Sequence, residues 1–262
     1  MSAIYTQIDA FQGAAAGLVL SSTSDTAKSE ISKKLKIFPN AIALDAGKIR
    51  VKRLRRSVLN ASNGIDAQLP KNLRYKKAML TLTYADNVEW SPRHITDTLK
   101  CIREYLRRKG YEFYYVWVLE NTKAGRPHYH ILMWLPKGVT LPKPDKRGWW
   151  KHGHTKIEWV RKNATAYIAK YCSKATDGHG FSKGARLHGC GGLNEGQRLL
   201  RSFWNIPQYV REFFDDNPFM RIVRAEGGGW ISKLTGEKLA SKYFVVSYNP
   251  LVIAPLSDLV PF

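Results

Sequence analysis

The sequence predicts an α+β fold: an antiparallel sheet with helices packed on it, a basic region ahead of it and a smaller region after it. Three observations carry that reading. Strand-length segments of apolar, aromatic and β-branched residues recur between positions 78 and 135. A single amphipathic helix with signals at both ends lies between the first two of them. The second and third, 113–120 and 128–135, are joined by a short glycine-containing loop, as the arms of a hairpin are.

Taken in order, residues 1–27 read as a weakly ordered leader. From Lys28 to Lys77 there are 14 basic and 3 acidic residues, over half of the chain's whole excess. Within that stretch Lys48-Ile49-Arg50-Val51-Lys52 alternates basic and apolar, which reads as a half-buried strand with a basic outer face. With Arg53, Arg55 and Arg56 it makes a positive ridge: Arg50, Lys52, Arg53, Arg55 and Arg56 suit a phosphate backbone, and equally suit plain solvation. Ala78–Tyr84 reads as a strand. Ser91-Pro92 supplies an N-cap and a proline at the first helical position. Ile95, Leu99, Ile102 and Leu106 follow at helical spacing, and Gly110 ends the helix after Arg107, Arg108 and Lys109. Phe113–Glu120 and His128–Leu135 are the hairpin. Gly138–Gly153 reads as a basic loop and Glu158–Ala175 as a helix. Beyond it come a glycine-rich loop at 178–192, two short helices at 195–204 and 207–216, a hairpin turning at Thr235-Gly236, and a last strand at 243–248. The organisation expected is a leader and basic DNA-binding region over 1–72, a core over 73–178 and an accessory region over 179–262.

Composition narrows the function. The 262 residues are 44% hydrophobic, enough for a packed core and too many for a disordered chain. Lys and Arg number 42 against 21 Asp and Glu, a formal charge of +21. An excess of that size on a folded chain points to a polyanion, most often nucleic acid. No run approaches the ~18 apolar residues of a spanning helix, so no membrane partner is expected. Neither a secretory nor a mitochondrial targeting pattern fits the first residues. Three cysteines, an odd and small number, suit reduced thiols in a cytoplasmic setting.

The segment richest in chemistry runs from Glu120 to Trp134. Side chains alternate along a strand, so His128 and His130 point to one face. A carboxylate at Glu120, at the end of the partner arm, would lie across from them. Two imidazoles and one carboxylate with open positions left over describe a catalytic divalent-ion site. His-x-His alone also occurs in cores and on surfaces. The second segment is Thr165–Lys174. Tyr167 and Tyr171 are one helical turn apart on one face, with Lys170 and Lys174 beside them. Lysines and a metal ion near a phenol would ease its ionisation, and phenolate is a competent nucleophile toward a phosphate ester. Trp149 and Trp150 lie among Lys143, Lys146, Arg147 and Lys151; that mixture suits stacking on unpaired bases, or covering a core edge.

At these residues the sequence resembles a known family. His128-Tyr129-His130 is similar to the His-hydrophobe-His motif of HUH endonucleases. Tyr167-Ile168-Ala169-Lys170-Tyr171 is similar to the paired-tyrosine motif of rolling-circle replication initiators of single-stranded DNA phages, filamentous phages among them. Met79–Tyr84 resembles the first strand motif of that family. The order of the motifs also fits initiators; in conjugative relaxases the tyrosine precedes the histidines. The resemblance covers 77–174 and implies an HUH nuclease core of RRM or ferredoxin-like architecture. It implies that His128, His130 and Glu120 hold Mg²⁺ or Mn²⁺, and that one tyrosine attacks single-stranded origin DNA, leaving a 5′-phosphotyrosine and a free 3′-OH. The 3′-OH would prime a host DNA polymerase, and the second tyrosine would cut the regenerated origin. Lys170 would stabilise the phosphate or the phenolate, and Lys174 would contact DNA. With no Walker motif in the chain, unwinding falls to a host helicase. The place of action implied is the cytoplasm of a bacterial host cell. Two rival readings are a two-tyrosine single-strand DNA transposase and a non-catalytic RRM-like nucleic-acid-binding protein.

His152-Gly153-His154 is a second His-x-His, in a loop context that favours exposure or DNA contact. Cys172, His179, His188 and Cys190 match no zinc-finger spacing.

Overall fold

Five antiparallel strands in the spatial order β5-β2-β4-β3-β6 form the sheet on which the rest of the candidate site is built. The computed structural model describes residues 29, 37–122, 125–160, 163–174, 185–248 and 251–259. The expected leader over 1–27 lies outside the described residues. The chain divides into two compact units, 51–201 and the pair 1–50 with 202–262. The α+β class read from the sequence is the class observed, with helices packed on an antiparallel sheet.

A short strand β1 (Ile42–Leu44) comes first. The basic–apolar alternation at 48–52 is not a strand. It opens a 23-residue helix, α1 (Ala46–Gln68), whose first turn is capped by Asp45: the Lys48 N–H donates to Asp45 Oδ1 at 2.9 Å. The reason lies downstream of the alternation. Leu54, Val58, Ala61 and Ile65 recur at helical spacing and are all buried in the core of the sheet unit. Five residues of period two do not outweigh a stripe three turns long. The basic ridge therefore lies on a helix: Arg50, Lys52 and Arg55 are exposed, while Arg53 and Arg56 are half-buried.

The sheet's long strands are where the sequence places them: β2 (Tyr75–Tyr84), β3 (Tyr114–Asn121) and β4 (Pro127–Pro136). Helix α2 (Pro92–Arg108) joins β2 to β3, with Ser91 as N-cap accepting from the Arg93 N–H at 3.3 Å. Its buried stripe is Ile95, Thr98, Leu99, Ile102 and Leu106. It lies on one face of the sheet, where Arg103 donates to the Tyr115 hydroxyl at 3.1 Å and His94 meets the Tyr84 hydroxyl at 3.1 Å. Strand β5 (Gly153–Trp159) occupies residues read as the end of a loop and the start of a helix. Helix α3 (Ala164–Lys174) begins only after it, and β6 (His188–Gly191) falls in a stretch read as loop.

Helix α1 lies on the face opposite α2. Asp66 in its last turn accepts from Trp134 Nε1 on β4 and from Lys77 Nζ on β2, both at 2.7 Å. Helix α3 shares this face and touches β3 and β4, burying Ile168 and Cys172 one turn apart. Helix α4 (Glu195–Asn205) follows β6.

The second unit holds two three-stranded sheets. One orders β1, β11 (Leu251–Pro255) and β10 (Tyr243–Tyr248); the other orders β7 (Ile222–Arg224), β8 (Trp230–Ser232) and β9 (Lys238–Leu239). The β8–β9 turn holds Gly236 at φ 77°, a left-handed conformation that glycine enters freely. Helix α5 (Gln208–Phe213) packs Val210 with Phe203, Phe214, Met220, Ile222 and Trp230.

Ile65 is fully buried against the sheet. Ile65→Ala is expected to lower unfolding free energy by about 2–5 kcal/mol in urea titrations. A loss below about 0.5 kcal/mol, the range of unremarkable surface substitutions, would contradict the packing of α1 described here.

Candidate metal centre and tyrosine pair

The β3–β4 hairpin fixes the site by its register. Its loop closes through Thr122 N–H to Arg126 O at 2.8 Å and Gly125 N–H to Thr122 O at 2.9 Å, with Gly125 at φ 76°. Glu120 then pairs with His128, and Val118 with His130. Directly paired residues share a face and residues two apart share a face, so Glu120, His128 and His130 project together toward α3. One donor atom from each lies within 4.8 Å of the others. Glu120 and His130 are both only 5% exposed, and His130 Nε2 is 2.8 Å from Glu120 Oε1.

These three residues fit a divalent cation. Glu120 Oε2 is buried and has no hydrogen-bond partner among the described residues. A buried carboxylate with one oxygen unsatisfied is unfavourable unless a cation compensates it. Burial, and then the neighbouring His130, push the His128 imidazole below its ordinary pKa, with lesser help from His154 and Arg126 and against the pull of Glu120. His128 is therefore neutral near pH 7, which is the form that ligates metal. Thr81, paired with His130 on the neighbouring strand, brings its hydroxyl within 3.4 Å of His130 Nδ1. Among the described residues this is the one cluster of three such donors.

Helix α3 delivers the tyrosines to the same place. Asn163, at φ 39°, caps it through its side chain to the Ala166 N–H at 3.1 Å. The Tyr171 ring lies flat on the His130 ring, centroids 3.6 Å apart and planes inclined by 10°. The Tyr171 hydroxyl donates to the Tyr167 hydroxyl at 3.0 Å, and Tyr167 is 40% exposed. The protein's own groups do not ease ionisation of Tyr171, contrary to the sequence expectation. Burial raises its pKa most, and the Tyr167 hydroxyl and the charges of Glu120 and Glu158 raise it further. Lys170 is exposed on α3. The Lys174 side chain lies outside what is described.

Of the nucleic-acid residues expected, Trp150 is a correction. It is 1% exposed, donates its indole N–H to Thr83 O at 3.1 Å and packs edge-on against Tyr84. A ring so enclosed offers no face to a base. Trp149 is half-buried against Tyr105 with Arg147 beside it. Arg55 on α1 lies within electrostatic reach of Cys172 on α3, so the basic helix borders the tyrosine helix.

The other histidines and cysteines hold no such cluster. His152 stacks on His94 at 3.5 Å. Burial drives the Cys172 thiol up to about 12. His179 lies outside the described residues, and His188 Nε2 meets the Ser57 hydroxyl at 2.8 Å. Sequence reasoning missed β5, which puts His154, Lys156 and Glu158 on the face of the metal donors. Its signal was present, because those polar residues alternate with Thr155, Ile157 and Trp159.

Residues 77–176 match the family of replication-associated protein ORF2. The matched segment begins in β2 and ends just past α3, so it contains every donor and both tyrosines. No curated protein and no solved structure matches the chain.

Burial, Arg201 and Arg186 lower the His188 pKa to about 4. The unfolded chain takes up that proton near pH 6.5 and the folded one does not, so stability is full above pH 6.5 and falls as pH drops toward 4. The loss from this group is on the order of 2–3 kcal/mol. Denaturant titrations at pH 7, 5.5 and 4.5 should show it, and His188→Gln should flatten that part of the profile. An unchanged slope in the variant would contradict the assignment.

Proposed function

We propose that the protein is a replication initiation nuclease that nicks and rejoins single-stranded origin DNA through a tyrosine-linked intermediate. The observation that carries this reading is the meeting of three metal donors and two linked phenols. Tyr171 stacks on His130, Tyr171 bonds Tyr167, and Glu120, His128 and His130 converge within 4.8 Å. The match of 77–176 to a replication-associated family and the charge of +21 support the same reading.

Glu120, His128 and His130 would hold Mg²⁺ or Mn²⁺. Such an ion polarises the non-bridging oxygens of a phosphodiester and stabilises charge as it develops. The chain's own residues do the rest. Neutral His128 keeps a lone pair free for coordination. The flat contact of Tyr171 on His130 holds the phenols at the donors, and holding reactants in place accounts for much of the barrier lowering in such transfers. In the transfer, a phenolic oxygen bonds to phosphorus while the bond from phosphorus to the 3′ oxygen breaks. The phenol loses its proton and the 3′ oxygen gains one, so no water is consumed and the reaction reverses as joining. Two phenols 3.0 Å apart allow one to carry the DNA while the other remains for a second cut. The exposed arginines and lysine of α1 would follow the strand's phosphates. The free 3′-OH is the end that a host polymerase extends, and strand separation is left to a host helicase.

On denaturing gels with labelled single-stranded origin DNA, a slower labelled protein band is expected only with Mn²⁺ or Mg²⁺. Tyr167→Phe/Tyr171→Phe should abolish the band, and His130→Ala should lower its yield at least 100-fold, as loss of a metal ligand exceeds the ~10–100-fold typical of outer-shell changes. A band that persists in the double variant, or without divalent ion, would contradict the proposal and favour a non-catalytic nucleic-acid-binding role or contaminating chemistry.

A further inference from the structure

Helix α3 touches β3 and β4. On the same face β2 and β5 present Thr81 and Thr83, half-buried and short, then His154 and Lys156, both exposed. Cross-strand pairing puts Lys156 opposite Thr81, and Thr81 opposite His130. Lys156, Thr81 and His130 thus form one row across three neighbouring strands, with Tyr171 stacked on its far end and Tyr167 bonded to Tyr171. The Lys156 ammonium meets Glu158 at 2.8 Å, both side chains being more than half exposed. Exposed pairs of this kind are weak and exchange readily for a better anion. Lys156 also feels the Tyr167 hydroxyl electrostatically, and Glu158 holds it in its charged form.

We propose that Lys156 holds a phosphate of the substrate strand beside Tyr167, which makes the two tyrosines unequal partners. This rests on the nicking reading above and adds a residue and a direction to it. The strand crosses the open strip of β2 and β5, and Lys156 exchanges Glu158 for a phosphate oxygen there. Tyr167, the exposed phenol and the acceptor in the tyrosine pair, is the one served by that contact. Tyr171, laid on His130, approaches from the donor side and depends on Lys156 less. Lys156 is a positioning residue, distinct from Lys170 on the helix itself.

The test uses single-tyrosine proteins, Tyr171→Phe (Tyr167 remains) and Tyr167→Phe (Tyr171 remains), each with and without Lys156→Gln. Covalent adduct formation on labelled single-stranded DNA is timed in Mn²⁺. Lys156→Gln should slow the Tyr167-only protein by about tenfold or more, the usual effect of losing one charged contact to a reacting phosphate. It should slow the Tyr171-only protein by less than about threefold, a structural disturbance being expected to affect both alike. Lys156→Arg should restore most of the rate. Lys100→Gln, on α2 at the opposite face, is the matched loss of one surface charge. Binding of single-stranded DNA without divalent ion should weaken in Lys156→Gln, with the salt slope reduced by about one unit or less. Equal slowing in both backgrounds, no slowing in either, or adduct formation by Tyr171 alone would overturn the proposal. If neither single-tyrosine protein forms an adduct, the nicking reading itself fails, and the metal-free binding comparison with Lys100→Gln still judges Lys156: equal affinities for the two variants would reject it.

Discussion

The register of β4 against β3 is the constraint on which everything else depends. Glu120 faces His128 across that ladder and His130 follows two residues on. A slip of one residue would turn both imidazoles toward α2 and bring Tyr129 and Ile131 to the α3 face. The protein guards against this on both sides. Tyr129 and Ile131 are buried on the α2 side, Leu132 and Trp134 are buried on the other, and all four have 1% or less of their surface exposed. Burying apolar side chains on both faces of one strand leaves a single register that satisfies them. The polar cluster is inserted at the only end of β4 where the apolar run gives way, at Pro127–His130.

Electrostatics divide the labour between protein and ligand. The folded chain keeps His128 neutral by burial and leaves Glu120 with an unsatisfied oxygen, a cost that a bound cation removes. It also raises the Tyr171 phenol, so ionisation is not something the side chains supply unaided. The long-range field complements this. Residues 202–262 contain six Lys or Arg and six Asp or Glu, so the full excess of +21 lies in residues 1–201. The attraction for a polyanion therefore belongs to the part of the chain that includes the sheet, α1 and the tyrosine helix. By the same criterion residues 202–262, with their own small apolar core, are not a second electrostatic anchor.

The sequence made the centre of the molecule legible because its signals there are local and mutually consistent. Ser91-Pro92, the stripe from Ile95 to Leu106 and Gly110 define α2, and the β3–β4 hairpin puts Glu120 across from His128 as its spacing implies. Where signals were short or depended on distant partners, the reading failed. Five alternating residues at 48–52 pointed to a strand, and the stripe from Leu54 to Ile65 decided for a helix. Strand β5 has clear alternation, yet its apolar side chains are few and it is held at the sheet edge by β2, seventy residues away. Strand β6 is glycine-rich because Gly189 and Gly191 lie against the rings of Trp117 and Tyr115, where a Cβ would come within 2.5 Å of ring atoms. Nothing in a lone sequence reveals such a close approach. Trp150 failed for the same reason: its flanking cations were visible and the Tyr84 ring that encloses it was not.

The central claim is that one ion and two phenols share one place. The most direct measurement is NMR of protein carrying ¹³C-labelled tyrosine, titrated with Mn²⁺ to one equivalent. The account predicts that the ring signals of Tyr171 and Tyr167 broaden first and most strongly, that Tyr105 on the α2 side broadens less, and that Glu120→Gln/His130→Ala removes the effect. Uniform broadening of all tyrosines, or none at Tyr167 and Tyr171 at one equivalent, would contradict it.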